Sequence, residues 1–222
     1  MRLLILGASG AGKGTQAKVI ADYFNINHIS TGDWLREEIK KDTALCRAVG
    51  KLIDRGYLVP DELMLSIMEE IIDEDDFILD GYPRTLEQVK ALDRLCNNMQ
   101  KPIDMAINIT VPDEEIIKRI TGRKVCTNCN ELYHIDFKPP QVYMVCDVCK
   151  GDLIQRVDDT LDTVRKRLEI YHSQFEPILE FYEKKSMLIS TTGTGNSKEI
   201  SENLISLLKK KLNKSALEGR HI

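Results

Sequence analysis

The chain has 222 residues, enough for one full core or for a core domain carrying insertions. Charged residues make up 30% of it, yet the net charge is only −4, which excludes a general polyanion-binding surface and any expectation of a nucleic-acid partner. No apolar run approaches the roughly 18–20 residues that span a bilayer. The N-terminus reads as a strand rather than a signal peptide, so no membrane partner and a reducing cytoplasm are expected. Six cysteines in that setting argue for metal ligation rather than disulfides.

Arg2 to Leu6 is short, apolar and branched, the pattern of a buried strand. Gly7-Ala8-Ser9-Gly10-Ala11-Gly12-Lys13-Gly14-Thr15 follows, and then Ala17, Ile20, Ala21 and Phe24 recur at helical spacing. A glycine-rich turn between a strand and a helix start is a phosphate cradle. Glycines let backbone N–H groups converge on an anion, the helix dipole favours negative charge, and Lys13 adds a point charge. The usual pattern has Ser or Thr directly after the lysine for Mg²⁺; here Gly14 takes that place and Thr15 follows.

Ile26 to Ser30 leads to Ser30-Thr31-Gly32-Asp33, a loop with capping chemistry. Helices are expected over 34–41 and 44–55, the second ended by Gly56 as a C′ glycine, followed by an extended connector at 57–61. The pair reads as a flap, since neither helix covers a sheet face. A helix with Leu63, Ile67 and Ile71 precedes the apolar strand Phe77 to Asp80. Asp80 is either an acid at a strand's carboxyl end, holding Mg²⁺ through water, or a turn residue beside Gly81. Thr85-Leu86-Glu87-Gln88 is a capping box. Strand 105–111 and helix 113–121 follow.

From Gly122 to Asp158 helical periodicity stops. Cys126-Thr127-Asn128-Cys129 and Cys146-Asp147-Val148-Cys149 specify a tetrahedral Cys₄ site, best suited to structural Zn²⁺, with Fe as the alternative. A nucleic-acid-binding zinc ribbon competes weakly, because clustered Lys and Arg are lacking. Cys46 and Cys96 read as packing residues. A helix is expected over 160–175, broken or bent at Pro177, then a strand over 187–191 and a last helix capped by Ser197. Its Lys209-Lys210-Lys211 run reads as a solvated helix end. Alternating strands and helices imply an α/β fold: a three-layer phosphate-loop domain with a parallel sheet and helices on both faces. The expected organisation is a core of 1–29, 60–121 and 160–214, insertions at 30–59 and 122–159, and a disordered tail at 215–222.

Phosphoryl transfer gathers many negative oxygens and needs matching cations. Arg36, Arg84, Arg119, Arg123, Arg156 and Arg167 all fall on the insertions or at element ends. Together with Gly12-Lys13-Gly14-Thr15-Gln16, Ser30-Thr31-Gly32-Asp33, Asp80-Gly81-Tyr82-Pro83-Arg84, Gly122-Arg123 and Thr163-Val164-Arg165-Lys166-Arg167-Leu168, they closely resemble the adenylate kinase family, bacterial long-lid zinc-binding type. The resemblance implies ATP + AMP ⇌ 2 ADP with Mg²⁺, in a cytoplasmic monomer. It implies ATP contacts at Gly10, Ala11, Gly12, Lys13, Gly14, Thr15, Arg119, Arg123, Leu132, Tyr133 and Gly195. For AMP it implies Thr31, Arg36, Tyr57, Leu58, Val59, Gly81, Tyr82, Pro83, Arg84 and Gln88. Arg156 and Arg167 would close on the transferred group, and Asp33 and Asp80 would order Mg²⁺ water. Lys13, Arg84, Arg123, Arg156 and Arg167 form the expected catalytic set.

The segment 30–59 would then be an AMP flap and 122–159 a metal-bearing lid that excludes water. Gln88 has competing capping and adenine-contact readings. Ser9, Tyr82 and Pro60 depart from the family's commoner Pro, Phe and Thr. The alternatives are a nucleoside monophosphate kinase of other base choice or one using GTP, and a non-catalytic phosphate-loop or zinc-ribbon binder.

Overall fold

The computed structural model describes residues 1–41, 43–72 and 75–217. Five parallel strands form the central sheet: β1 (Arg2–Leu6), β2 (Asn27–Ser30), β3 (Phe77–Asp80), β4 (Met105–Thr110) and β5 (Leu188–Thr192). Their order is β2-β3-β1-β4-β5, so connections leave β1 toward both sides of the sheet. Ligands collect at that reversal, beyond the carboxyl ends of the strands.

The period of two along β1 explains the three layers. Leu3 and Ile5 join one apolar cluster with Ala17 and Ile20 of α1 (Lys13–Phe24), Ile116 and Ile120 of α2 (Asp113–Thr121), and Leu204 and Leu208 of α3 (Ser197–Leu217). Leu4 and Leu6 point the other way. They meet Met64 and Met68 of α4 (Asp61–Ile71), Val89 and Leu92 of α5 (Leu86–Asn98), and Ile178 and Tyr182 of α6 (Leu161–Lys184). No helix among the described residues is long and apolar enough to cross a membrane.

The second cluster also contains Leu35 of α7 (Thr31–Ile39) and Val49 of α8 (Ala44–Asp54). These two helices thus each place one buried side chain in that cluster. Helix α7 starts three residues before the expected Trp34, because Ser30 Oγ accepts from the Asp33 N–H and caps it. Helix α8 ends in a Schellman arrangement: the Gly56 N–H donates to Ile53 O and the Tyr57 N–H to Leu52 O, with Gly56 at φ +80°.

Residues 123–154 carry a separate antiparallel sheet of β6 (Arg123–Cys126), β7 (Leu132–His134) and β8 (Leu153–Ile154), with β6 central. Cys126, Tyr133, Cys146 and Leu153 form a small buried cluster there.

Helix α6 runs straight through Pro177 to Lys184. Proline costs a helix interior about 3 kcal/mol. The turns beyond it bury Ile178 and Tyr182, at about 1.5–3 kcal/mol for each large side chain, so packing outweighs the lost hydrogen bond. At α3 the cap is Asn196, whose Oδ1 accepts from the Lys198 N–H, rather than Ser197. Lys209 and Lys211 are not free solvated charges: Lys209 reaches the Tyr23 hydroxyl and Lys211 donates to Leu188 O. The expected tail at 215–222 is helical as far as Leu217, and the rest lies outside the described residues.

Candidate active site

The glycine-rich loop joins β1 to α1. Gly10 and Gly12 have φ of +86° and +94°, and Gly12 caps α1 without any side-chain bond, so the first N–H groups of the helix face the loop. Lys13 folds back over it, Nζ donating to Ala8 O at 2.8 Å. Burial, and the neighbouring Arg84, Arg123 and Arg167, push the Lys13 ammonium down to about 8 against the opposing pull of Asp80. A lysine so placed is short of anionic partners. Phosphate oxygens would supply them.

Asp80 ends β3 beside this loop. A Cβ added at Gly14 would lie 3.2 Å from Asp80 Oδ2, so a carboxylate occupies the neighbourhood where many phosphate loops place a hydroxyl. A carboxylate oxygen beside a phosphate cradle fits Mg²⁺, a hard cation that keeps water ligands.

Two adjoining cavities share Ser9, Leu58, Gly81, Tyr82, Arg84 and Arg167. One also exposes Lys13 and Pro83; the other is walled by Thr31, Arg36, Tyr57, Val59 and Gln88. The second thus gathers nearly every residue expected to hold AMP. Gly81 makes this approach feasible: its φ is +90°, and a Cβ would sit 2.6 Å from Thr31 Oγ1, which itself donates to Asp80 O.

Gln88 satisfies only half of the expected capping box. Thr85 Oγ1 accepts from the Gln88 N–H, but the Gln88 carboxamide accepts from the Arg84 N–H and donates to Asp61 Oδ1, both at 2.7 Å. It steadies the Arg84 backbone instead of closing the cap.

Around these cavities the arginines are held by acids. Arg123 pairs with both oxygens of Asp159, at 2.5 and 2.8 Å. Arg167 pairs with Asp158, which also takes Arg36 at 3.3 Å. Burial opposes the charge of Asp158, but Arg167 and Arg36 hold its carboxyl at about 2. Asp33 Oδ1 accepts from Arg156 at 3.2 Å and Arg36 at 3.3 Å, while Oδ2 accepts from Ser30 Oγ. The Asp33 carboxylate thus bridges Ser30, Arg36 and Arg156. These pairs, with Lys18–Glu131 at 3.7 Å, draw the 122–159 segment over the cleft against α7 and α1.

On the other flank, Arg119 lies near the phosphate loop, its Nη2 donating to Gly193 O and its Nε to Glu115. Gly195 is exposed at φ +101° in the loop between β5 and α3.

In the antiparallel unit the sulfurs of Cys126, Cys129, Cys146 and Cys149 all lie within 4.8 Å of one another. Four thiolates so gathered fit a tetrahedral ion such as Zn²⁺, whose Zn–S bonds of about 2.3 Å bring sulfurs to similar separations. Burial works against ionisation of Cys146, yet N–H groups of Cys149 and Val148 and the Tyr133 hydroxyl bring it down to about 6. Tyr133 is thus a wall of the cysteine cluster, its hydroxyl accepting from the Asp147 N–H. Leu132, the residue before it, is partly exposed.

Sequence reasoning missed Asp158, Asp159 and Asp61. The adjacent acids just after Arg156 were a readable signal, but two of their partners, Arg36 and Arg123, lie far along the chain.

The adenylate kinase family pattern matches residues 5–187. Similar proteins named adenylate kinase occur in Acetivibrio thermocellus (48% identity over 212 residues) and Caldicellulosiruptor bescii (45% over 213), each covering 94% of this chain and 98% of the relative. One in Thermodesulfovibrio yellowstonii is 44% identical over 215 residues, 95% of this chain and 100% of that protein. With a phosphate loop, a matching cleft and near full-length similarity, the chain belongs to the adenylate kinase family of nucleoside monophosphate kinases.

Proposed function

We propose that the protein transfers a phosphoryl group between ATP and AMP, giving 2 ADP, with Gly10 to Thr15 and Lys13 holding the donor phosphates. The observation that carries this reading is the gathering of Arg36, Arg84, Arg123, Arg156 and Arg167 around one cleft that also opens onto Lys13. Such transfer needs positioning and charge neutralisation far more than covalent help. Arg84 and Arg167 wall both cavities, so they suit the oxygens in transit between donor and acceptor. Thr31, Arg36, Tyr57 to Val59, Gly81 to Arg84 and Gln88 would seat AMP.

Asp158, Asp159 and Asp33 act as internal counter-ions. They keep the guanidinium groups oriented before phosphates arrive, and they would yield part of their hold when substrates bind. Mg²⁺ bound with ATP would neutralise phosphate charge near Asp80. Closing the 122–159 lid onto the 30–59 segment would keep water from competing with AMP. The four cysteines would carry a structural zinc that sets the lid's shape. Reduced metal-binding thiols suit the cytoplasm, and a monomer is the working assumption for the assay.

The test is ADP formation across a panel of nucleoside mono- and triphosphates with Mg²⁺, alongside metal analysis. AMP and ATP should be the best pair. A better acceptor than AMP would overturn the substrate assignment.

A further inference from the structure

Gln16 lies one turn into α1, directly after the phosphate loop, and is 4% exposed. Its carboxamide makes no bond within its own helix. Nε2 donates to Ser197 O at 3.2 Å and to Ser197 Oγ at 3.1 Å, and Oε1 accepts from the buried Ser201 Oγ at 2.7 Å. Every one of these partners sits in the first turns of α3. The loop that enters that helix, residues 193–196, flanks the phosphate loop: a Cβ at Gly193 would lie 2.9 Å from Ala11 O. Its leading end is pinned by the Gly193 N–H to Thr110 O of β4 and by Arg119 of α2 to Gly193 O. Only its trailing end faces α1, and Gln16 meets it there.

We propose that Gln16 is a positioning residue that holds the loop 193–196, the donor-base side of the cleft, in register with the phosphate loop. The proposal rests on the reading that ATP phosphates occupy residues 10–15 and its base lies toward Gly195. One rigid carboxamide then sets the distance between the two halves of the donor site. A buried amide bonded at both ends suits this better than an apolar contact, because its bonds specify both the spacing and the orientation of α3. Thr194 and Gly195 remain exposed, leaving their backbone groups to meet a base edge.

Gln16→Leu keeps the volume and removes the bonds, while Ser201 Oγ retains Ser197 O at 2.9 Å as a partner. Losing these three hydrogen bonds should raise KM for ATP about tenfold. KM for AMP and kcat should stay within about twofold, and the preference for ATP over GTP should narrow. Inorganic tripolyphosphate, which has phosphates but no base, should compete with ATP equally well in wild type and variant. Equal rises in both KM values, or weaker tripolyphosphate binding, would show general loosening and overturn the proposal; so would an unchanged KM for ATP. If Gln16→Leu fails to fold, Ser201→Ala should raise KM for ATP about threefold by the same route, and no change there overturns it. Failure of the unmodified protein to form ADP would instead overturn the underlying reading.

Discussion

Arg123 and Asp159 form a two-point ion pair across 36 residues of sequence, with the Asp159 side chain fully buried. A bidentate pair fixes the plane of the guanidinium as well as its position. Arg123 is therefore presented to the cleft in one orientation before any nucleotide arrives. Replacing Arg123 by Ala should lower kcat by roughly 10²–10⁵-fold, the range for arginines that stabilise phosphoryl transfer. Asp159→Asn, which keeps an acceptor but loses the charge, should cost about tenfold in kcat. Asp159→Ala should also destabilise the fold by about 3–5 kcal/mol, since it strands a largely buried guanidinium. Steady-state kinetics and thermal melting check all three; equal kcat losses for Asp159→Asn and Arg123→Ala would mean Asp159 touches the reactants itself.

Lys13 gives a pH signature. Burial and three neighbouring arginines hold its ammonium at about 8, below its ordinary range. Free enzyme should thus lose this charge as pH rises through about 8, and kcat/KM for ATP should fall there. Bound phosphates favour the charged form, so kcat should decline only at higher pH. The stability sign is opposite. The unfolded chain binds this proton more tightly, so the cost of holding Lys13 charged is present below about 8 and is relieved as pH rises toward 10.5. A kcat/KM profile that stays flat across this window would remove Lys13 as the group responsible.

The contrast between these two sites shows what a sequence carries. The strand, loop and helix around Lys13 are contiguous, so apolar period and glycine spacing suffice to place them. The Cys₄ cluster is readable for a similar reason, since each half is a local CxxC hairpin. Asp158 and Asp159 are harder to read, because Arg167 is near in sequence but Arg36 and Arg123 reach them only through tertiary contact. Gln88 shows another limit: its spacing from Thr85 satisfies a local cap, and tertiary contact with Asp61 wins its side chain. At Pro177 the local rule predicts a break, and burial of Ile178 and Tyr182 overrides it.

The apolar cluster of residues 123–154 holds two of the four gathered cysteines, so the cysteine site and this small core are one structure. Structural zinc contributes roughly 10–16 kcal/mol in zinc-finger peptides, far more than burying Leu153 and Tyr133 can. Cys126→Ser and Cys146→Ser should abolish stoichiometric metal binding and lower the melting temperature while sparing turnover at low temperature. Metal analysis and calorimetry on wild type and variants decide the matter. An unchanged melting curve in metal-free protein would show that the cysteines do not hold the lid together.

Gly81 supplies the most local test of the acceptor cavity. Its φ of +90° is unfavourable for any residue with a Cβ, and an added methyl would sit 2.6 Å from Thr31 Oγ1. Gly81→Ala must therefore push β3's carboxyl end away from the start of α7, at a backbone cost of about 1–3 kcal/mol. That movement separates Thr31 and Arg36 from Arg84, whose Nε is held by Gly81 O at 2.6 Å. The donor side is built on β1 and α1 and should be little disturbed. KM for AMP should rise at least about tenfold with KM for ATP changed by less than about twofold. A variant in which both constants rise together would mean that the wall the two cavities share, Gly81 included, moves as a unit, and the strain at Gly81 would not act on the AMP side alone.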